Sequence, residues 1–469
     1  MSNSKKTFFS KTASSADSQD SSQVSQVSQV SAASTARRVS SMPIPVHVTS
    51  TLFDAPAPDE LIDNKPYIVR CARRGVTAVF GLWMRVASYV ARRAGWFPSV
   101  EPYIGYGTDR YARLICRTVY APARGHHSAL KRGIYAMLVV PAVRVKVTLS
   151  IDGIPLEKVQ VGDCETYDKV ESAGVSSVDY CISDRAGYLD LVTERALCAG
   201  QHTVSYTVNN RDAVKSSLFA ISSSASIGVI SDVDDTIMVT QAPSPIRAAY
   251  NLLIMNPAHR SRVPGMASLF AAIKDFSEDS PFFYLSTSPW NVEASIRHFI
   301  DREGFPQGPL LLRDLDPRPK TFVPNGPQHK MEFASQLMDD FPDMRFVLIG
   351  DDGQKDPLTY ANIIRKYPGR VLAVAIRQLH SDDTVDHFRK HCIRDFGMAL
   401  SSSHTAYTFA GSTEDDFDLK EDSSVENLRT IEVKNCVGTL HGVPFFVSPD
   451  GEGLKEAILP YLSEVFKRS

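Results

Sequence analysis

Short, uninterrupted apolar runs alternate with amphipathic segments between residues 226 and 400, and this alternation limits the possible folds more than any other feature of the chain. A strand that is apolar at every position needs helices over both faces of its sheet, as in parallel α/β folds. We therefore predict a doubly wound α/β domain over 226–400. Its predicted strands are 227–230, 282–285, 346–349 and 371–376.

The segments between and after these runs have the periodicity of amphipathic helices. Ser288 followed by Pro289 is typical of an N-cap with Pro in the first helical turn, and Gly304 fits the end of the same helix. The predicted helices are 264–276, 291–303, 331–340 and 358–367.

The preceding region, 101–225, has a period of two instead. Apolar and polar residues alternate in VRVKVTLSI (143–151), and Asp152-Gly153 follows as a hairpin turn. HTVSYTVN (202–209) alternates in the same way. Several such strands predict an all-β, immunoglobulin-like sandwich, for which a binding or packing role is the default.

The remaining segments differ in composition. Residues 1–60 are rich in Ser and Gln, with the repeat SQVSQVSQVS, and are predicted to be disordered. Residues 401–432 are Ser-rich and then acidic, which favours a linker or loop, and 433–469 are predicted to form a C-terminal helical extension.

Residues 61–100 form a predicted basic amphipathic helical segment, with Gly75 and Gly81 as candidate breaks. Between Asp63 and Glu101 the chain carries arginines among apolar and aromatic residues and no acid. Two interpretations stay open at this point. The segment 67–97 contacts an anionic membrane surface, or it docks on a domain with its arginines in solvent.

Composition narrows the class of protein. A length of 469 residues favours two domains, and a net charge of −2 gives no general attraction to nucleic acid. Seven scattered cysteines without a C-x-x-C pair argue against a disulfide framework and a zinc site. No signal peptide or transmembrane segment is evident, so we expect a cytoplasmic protein, peripheral at most on a membrane, whose oligomeric state stays open.

Polar side chains follow the predicted strands of the α/β region where these strands end, and functional groups of such sheets gather at that edge. Like-charged carboxylates repel unless a cation lies among them, and oxygen-only ligands beside a phosphate favour Mg²⁺. We therefore predict a magnesium site there. The candidate site residues are Asp232, Asp234, Ser286, Lys330, Asp351 and Asp356.

These residue types fit phosphoryl transfer. One Asp can attack phosphorus, and a second Asp two positions later can carry the proton. Ser286 can hold a phosphoryl oxygen, and Lys330 can offset the charge that builds up. Asp235 and Asp352 are left without a chemical role, and Thr236 is expected to tighten the turn.

Together, DVDDT, Ser286, Lys330 and GDDGQKD resemble the four-part signature of haloacid-dehalogenase-superfamily phosphatases. The strings GVISDVDDTI, FFYLSTSPWNV and FVLIGDDGQKDPLTY further resemble the catalytic domain of the actin-patch phosphatidate phosphatase family, over about 226–380. The resemblance implies Mg²⁺-dependent hydrolysis of phosphatidate to diacylglycerol through an aspartyl phosphate.

The resemblance also implies the site roles. Asp232 would be the nucleophile and Asp234 the acid and base, while Ser286 and Lys330 would bind the phosphoryl group. The implied metal ligands are Asp232, Asp351, Asp356 and the main-chain carbonyl of Asp234.

Two alternatives remain from the sequence. One is a phosphomonoesterase for a soluble ester such as a sugar phosphate or nucleotide, since related sheets hydrolyse such esters. The other is a membrane-binding or partner-binding protein with a catalytically slack phosphatase-like domain. His259, Arg260 and Arg262 are read as a solvated basic turn, with a lipid headgroup as their alternative partner.

Overall fold

The computed structural model describes part of the chain, all of it within one compact unit, Ile44–Ser469. The predicted disordered segment 1–60 lies outside the described residues, as do residues 410–427 of the predicted linker. The described residues are 67–121, 140–142, 145–156, 160–161, 181–182, 187–193, 195–208, 211–240, 260–313, 326–353, 355–379, 385–396, 399–409 and 428–468.

The basic segment forms one helix, α1 (Tyr67–Arg93). Gly75 and Gly81 lie inside it without interrupting it, so the candidate breaks at these glycines are wrong. Met84 and Ala91 are buried, and the helix contacts strand β3 (Ala112–Ala121). In the described part of the chain no helix combines the length and apolar character that crossing a bilayer requires.

The described part of the region after α1 is a β-sheet in which neighbouring strands are antiparallel, except for one parallel pair, β10 with β2. Alternate residues of the fourth strand are buried, and Asp152 and Gly153 both adopt positive φ in the hairpin that follows it, as predicted. The prediction of a β-rich region is confirmed. Its strands besides β3 are β1 (Phe97–Pro102), β2 (Gly105–Gly107), β4 (Lys146–Ile151), β5 (Ile154–Pro155), β6 (Gln160–Val161), β7 (Cys181–Ile182), β8 (Tyr188–Thr193), β9 (Gly200–Val208) and β10 (Val214–Ala220).

A second sheet, largely parallel, follows with strand order β13-β12-β11-β14-β15-β19-β18. Every residue of Ile227–Asp232, one of its inner strands, is buried, which requires cover on both faces. The prediction of an α/β region with a parallel sheet is confirmed. The strands are β11 (Ile227–Asp232), β12 (Phe282–Pro289), β13 (Leu310–Arg313), β14 (Arg345–Asp351), β15 (Val371–Arg377), β18 (Gly438–Leu440) and β19 (Val443–Ser448).

Helices connect and cover these strands in two groups. The helix Met266–Phe276 packs against Gly451–Arg468. The helices Gly326–Asp340 and Val385–Phe396 both pack against Asp356–Lys366. Gly304 ends the third helix with φ 76°, as predicted. The helices are α2 (Met266–Phe276), α3 (Glu293–Glu303), α4 (Gly326–Asp340), α5 (Asp356–Lys366), α6 (Val385–Phe396) and α7 (Gly451–Arg468).

The C-terminal segment contributes more than the predicted helix. Strand β19 pairs in parallel with β15, and β18 adds an antiparallel edge, so 433–469 complete the sheet. The ends of the predicted linker 401–432 also pair, as β16 (Thr405–Phe409) with β17 (Leu428–Glu432). Their apolar residues Ala406 and Ile431 are buried in the α/β core, so this strand pair packs on the parallel sheet's domain.

The two sheets share a buried junction. The Tyr103 ring stacks on Trp290 with centroids 4.4 Å apart, and the Tyr106 hydroxyl donates a hydrogen bond to Asp340 Oδ2 at 2.7 Å. Tyr103, Tyr106 and Ile115 belong to the same apolar core as the parallel sheet. Because Trp290 follows β12 directly, the β-rich region packs on the segment that carries Ser286.

Candidate active site

The central parallel strands bring three predicted residues to one edge of the sheet. Asp232 ends β11 and Asp351 ends the adjacent strand β14. On the other side of β11, Asp232 is in register with Leu285, so Ser286 lies one residue beyond it on β12. The strand register therefore produces the meeting of side chains that the sequence predicted.

A buried cluster of carboxylates occupies this edge. Oxygens of Asp232, Asp351 and Asp356 all lie within 4.8 Å of one another. Each of the three residues is at most 1 % exposed, so water screens their repulsion poorly. A Cβ atom on Gly350 would lie 2.5 Å from Asp356 Oδ2, and glycine is therefore needed for this close approach.

Lys330, on α4, reaches into the cluster. Its Nζ lies 2.7 Å from Asp232 Oδ1 and 2.5 Å from Asp356 Oδ1. Burial alone would lower the pKa of this ammonium, but the charges of Asp232 and Asp356 outweigh burial and raise its pKa above the usual value. Lys330 is therefore charged at every physiological pH.

The pKa of Asp232 is also raised, but here burial is the main cause. The net pKa of its carboxyl group is about 7: burial raises it most, the charge of Lys330 lowers it, and the negative charges of Asp356 and Asp234 raise it. Thr236 donates a hydrogen bond to Asp232 Oδ2 at 3.0 Å, so both oxygens of this carboxylate are held. Beyond the tightening of the turn that we predicted, Thr236 thus orients the candidate nucleophile.

The donor set fits a divalent cation. The cluster's three carboxylates carry three negative charges, and Lys330 supplies one positive charge among them. Burial is the main cause of the raised pKa of Asp232 and the neighbouring carboxylates add to it, whereas a cation among the oxygens would favour the ionised form. Oxygen ligands without nitrogen or sulfur suit Mg²⁺.

Asp234 faces a different set of groups. Its Oδ2 accepts hydrogen bonds from the hydroxyls of Ser286 at 2.6 Å and Ser288 at 2.9 Å. Its carboxylate is not part of the three-carboxylate cluster, which agrees with a metal contact through the main-chain carbonyl alone. The two acids of DVD are thus two positions apart in sequence, and their carboxylates have different partners in space.

The two residues left without chemistry have backbone partners. The Asp235 carboxylate accepts a hydrogen bond from the amide of Thr240, and Asp235 has φ 58° in the turn. The Asp352 carboxylate accepts one from the amide of Leu379. Both carboxylates therefore hold loops at the edge of the sheet.

Two residues of the site were assigned differently from the sequence. Ser288 was predicted to cap a helix, but it belongs to β12, and α3 begins only at Glu293, after a turn of 3₁₀ helix. Its hydroxyl holds Asp234 instead. Arg260 was read as solvated but is buried, and its pKa is lowered by burial and raised by the charge of Asp234. The serine could have been found from its spacing of two residues after Ser286, since alternate residues of a strand share a face.

Known proteins are similar to this chain over the region that contains the site. Residues 227–378 match the family model of the phosphatidate phosphatase APP1 catalytic domain. Phosphatidate phosphatase APP1 of Saccharomyces cerevisiae is 28% identical over 152 residues, which is 32% of this chain and 26% of that protein. An uncharacterized Schizosaccharomyces pombe protein is 24% identical over 157 residues, 33% of this chain and 26% of that protein.

The matched region thus spans about a quarter of the length of these curated relatives, and the predicted resemblance is confirmed for 227–378. Among solved structures, the Yersinia pseudotuberculosis adhesin InvE overlaps 27% of this chain and 32% of its own, with TM-score 0.16 and 14% identity. The tandem Ig repeats of Dlar overlap 30% and 61%, with TM-score 0.16 and 12% identity. Scores this low carry no inference about the fold.

Proposed function

We propose, from the match of residues 227–378 to a phosphatidate phosphatase catalytic domain and from the buried acid cluster, that this chain is a Mg²⁺-dependent phosphatidate phosphatase. It would hydrolyse phosphatidate to diacylglycerol and phosphate. The proposal includes a haloacid-dehalogenase-like, doubly wound fold for the α/β region and an immunoglobulin-like arrangement for the β-rich one. A cytoplasmic location belongs to the same proposal.

The first step is attack by Asp232. A carboxylate oxygen forms a bond to phosphorus, and the bond from phosphorus to the glycerol oxygen breaks. Lys330 and Thr236 hold the carboxylate in one orientation, at 2.7 Å and 3.0 Å from its two oxygens. This fixed position lowers the entropic cost of reaching the reacting geometry.

Asp234 moves the proton in both steps. Protonated Asp234 gives its proton to the leaving glycerol oxygen as the first bond breaks. It then takes a proton from the water whose oxygen attacks phosphorus, and the bond between Asp232 and phosphorus breaks. Because Oδ2 accepts bonds from Ser286 and Ser288, the proton would be carried on Oδ1.

Ser286 and Lys330 would bind the phosphoryl oxygens. The ammonium is charged and 2 % exposed, so it acts in surroundings where its field is weakly screened. Asp232, Asp351, Asp356 and the Asp234 carbonyl would hold the metal. When bound, Mg²⁺ supplies neutralisation of the charge on the phosphoryl oxygens.

The observation that carries the proposal is the pairing of a carboxylate cluster around Asp232 with a second acid, Asp234, held by hydroxyls. The test is phosphate release from phosphatidate in detergent micelles with Mg²⁺, comparing the wild type with D232N. We expect release by the wild type alone and its loss in EDTA. Equal release by both proteins would refute the mechanism, and a higher kcat/KM on dispersed soluble esters would reassign the substrate.

A further inference from the structure

The helix α1 has two apolar faces, of which one packs on the protein. The packed face contains the buried Met84 and Ala91 with the half-buried Ala87 and Ser88 between them. Their spacing of three or four residues defines one side of a helix. This side of the helix therefore packs on the folded protein, which is one of the two interpretations that the sequence left open.

The opposite side is apolar and in solvent. Six of its large side chains are between 48% and 69% exposed. At about 100° per residue they cover an arc of roughly 120° centred away from Met84. Monomeric soluble proteins seldom expose so continuous an apolar stripe, and such a stripe marks an interaction site. Its members, here called the outer face, are Val79, Leu82, Trp83, Val86, Tyr89 and Val90.

The charges beside the outer face indicate what covers it. Arg74, Arg85 and Arg92 fall on one edge of the stripe at this angular spacing, and all three are exposed. Arg93 lies over the Tyr89 ring, with its Cζ 5.5 Å from the centroid. The helix contains no acidic residue, so the edge of the stripe carries positive charge without internal compensation.

These features together distinguish a lipid surface from a protein partner. Arginines can extend along an apolar face and leave their guanidinium groups at the level of lipid headgroups. Trp and Tyr are the residues typical of that interface, and both lie on the outer face. A second copy of this chain would bring the same arginines toward one another, which like charges oppose.

We propose that α1 docks the protein on an anionic lipid bilayer, lying in the plane of the interface with the outer face in the upper acyl region. The packed face stays on β3, so the helix joins the folded domain to the membrane without crossing it. The docking is independent of hydrolysis. A chain that releases no phosphate from phosphatidate would still bind such a bilayer.

Vesicle flotation of the full chain tests the docking. The vesicles are phosphatidylcholine alone or phosphatidylcholine with phosphatidylserine, an anionic lipid that offers the site no phosphomonoester. The triple variant L82S/W83S/V86S should bind the anionic vesicles at least about 100-fold more weakly, given the apolar area lost. The control variant I154S/I393S removes exposed apolar residues from other elements and should bind like the wild type.

The charged edge has its own variant. R85Q/R92Q should weaken binding to the anionic vesicles by about 30-fold, at roughly a fivefold loss per arginine, and leave phosphatidylcholine binding unchanged. Added salt should weaken wild-type binding to the anionic vesicles in the same direction. All three variants should hydrolyse a soluble aryl phosphate as the wild type does, whatever its activity, because none of these side chains belongs to the site.

Tryptophan fluorescence places the helix directly. The chain has three tryptophans, and Trp290 is buried. In W96F the remaining exposed tryptophan, Trp83, should shift to the blue and be quenched by brominated lipid, whereas W83F/W96F should show neither change. Equal flotation of the wild type and the triple variant would overturn the proposal. The proposal would also be overturned if the wild type did not bind vesicles but sedimented as a dimer, and the triple variant sedimented as a monomer.

Discussion

Replacing Asp232 with Asn tests the charge imbalance in the acid cluster, because it removes one buried carboxylate and keeps the shape of the side chain. Without a divalent cation, burial and the neighbouring carboxylates raise the pKa of Asp232 from 3.8 to about 7. Each unit between the folded and unfolded pKa is worth about 1.4 kcal/mol. Keeping this group ionised therefore costs the metal-free protein about 4 kcal/mol at pH 8.

The pH dependence of stability follows from the same difference between the folded and unfolded pKa of Asp232. The folded protein binds this proton more tightly than the unfolded chain does, so the contribution to stability is most favourable below pH 4 and falls as pH rises to about 7. D232N has no such group. In EDTA at pH 8 its thermal midpoint should exceed the wild-type value by about 10 °C, at 2–4 °C per kcal/mol. The difference between the two thermal midpoints should shrink by more than half at pH 5.

Scanning calorimetry between pH 5 and pH 8.5, in EDTA and in Mg²⁺, measures both effects. D235N is the matched control, since the Asp235 carboxylate accepts a bond from Thr240 outside the cluster, and its midpoint should follow the wild type. Mg²⁺ should raise the wild-type midpoint more than that of D232N, which has lost a ligand. If the wild type and D232N share one midpoint and one pH dependence in EDTA, the reasoning about buried repulsion is wrong.

Three further substitutions address the surroundings of the cluster. S288A removes one of the two hydroxyls that donate hydrogen bonds to Asp234 Oδ2. We expect kcat on phosphatidate to fall by about 10- to 100-fold at nearly constant KM and to recover in S288T. A change in KM alone would contradict the positioning role. K330M leaves the Asp356 carboxylate without its ammonium partner and should lower the free energy of unfolding in EDTA by about 3–5 kcal/mol. Urea unfolding measures this loss, and an unchanged midpoint would contradict the prediction. G350A places a Cβ atom 2.5 Å from Asp356 Oδ2 and should therefore weaken Mg²⁺ binding. Calorimetric titration measures the affinity for Mg²⁺, and an unchanged affinity would refute the prediction.

The parallel sheet and its edge could be predicted because both follow from local sequence. An apolar strand that ends in an acid, as β11 does at Asp232, specifies burial and the position of the carboxylate together. The next apolar run, 282–285, predicted the position of Ser286 in the same way, although β12 continues to Pro289. Parallel pairing then brings such ends to one edge, whichever helices intervene.

The features that were missed depend on contacts distant in sequence. The apolar run of β19 has the composition of a strand, but its pairing with β15 crosses about 70 residues, which no local period encodes. Ser288 has the sequence of a helix cap, and the Asp234 carboxylate competes successfully for its hydroxyl. In α1 both faces are apolar, so periodicity alone could not tell which face packs on β3.

A continuous set of contacts connects the outer face of α1 with the catalytic edge. The packed face of α1 rests on β3, and the Ile115 carbonyl of β3 accepts a hydrogen bond from the amide of Tyr103. The Tyr103 ring stacks on Trp290, two residues after Ser288, whose hydroxyl holds Asp234. Each contact is buried or backbone-bonded, so together they form a frame of fixed geometry. Under the proposed function and the proposed docking, this frame would fix the distance from the membrane surface to Asp232. A docking helix on a flexible tether would bring the protein to the lipid without fixing that distance.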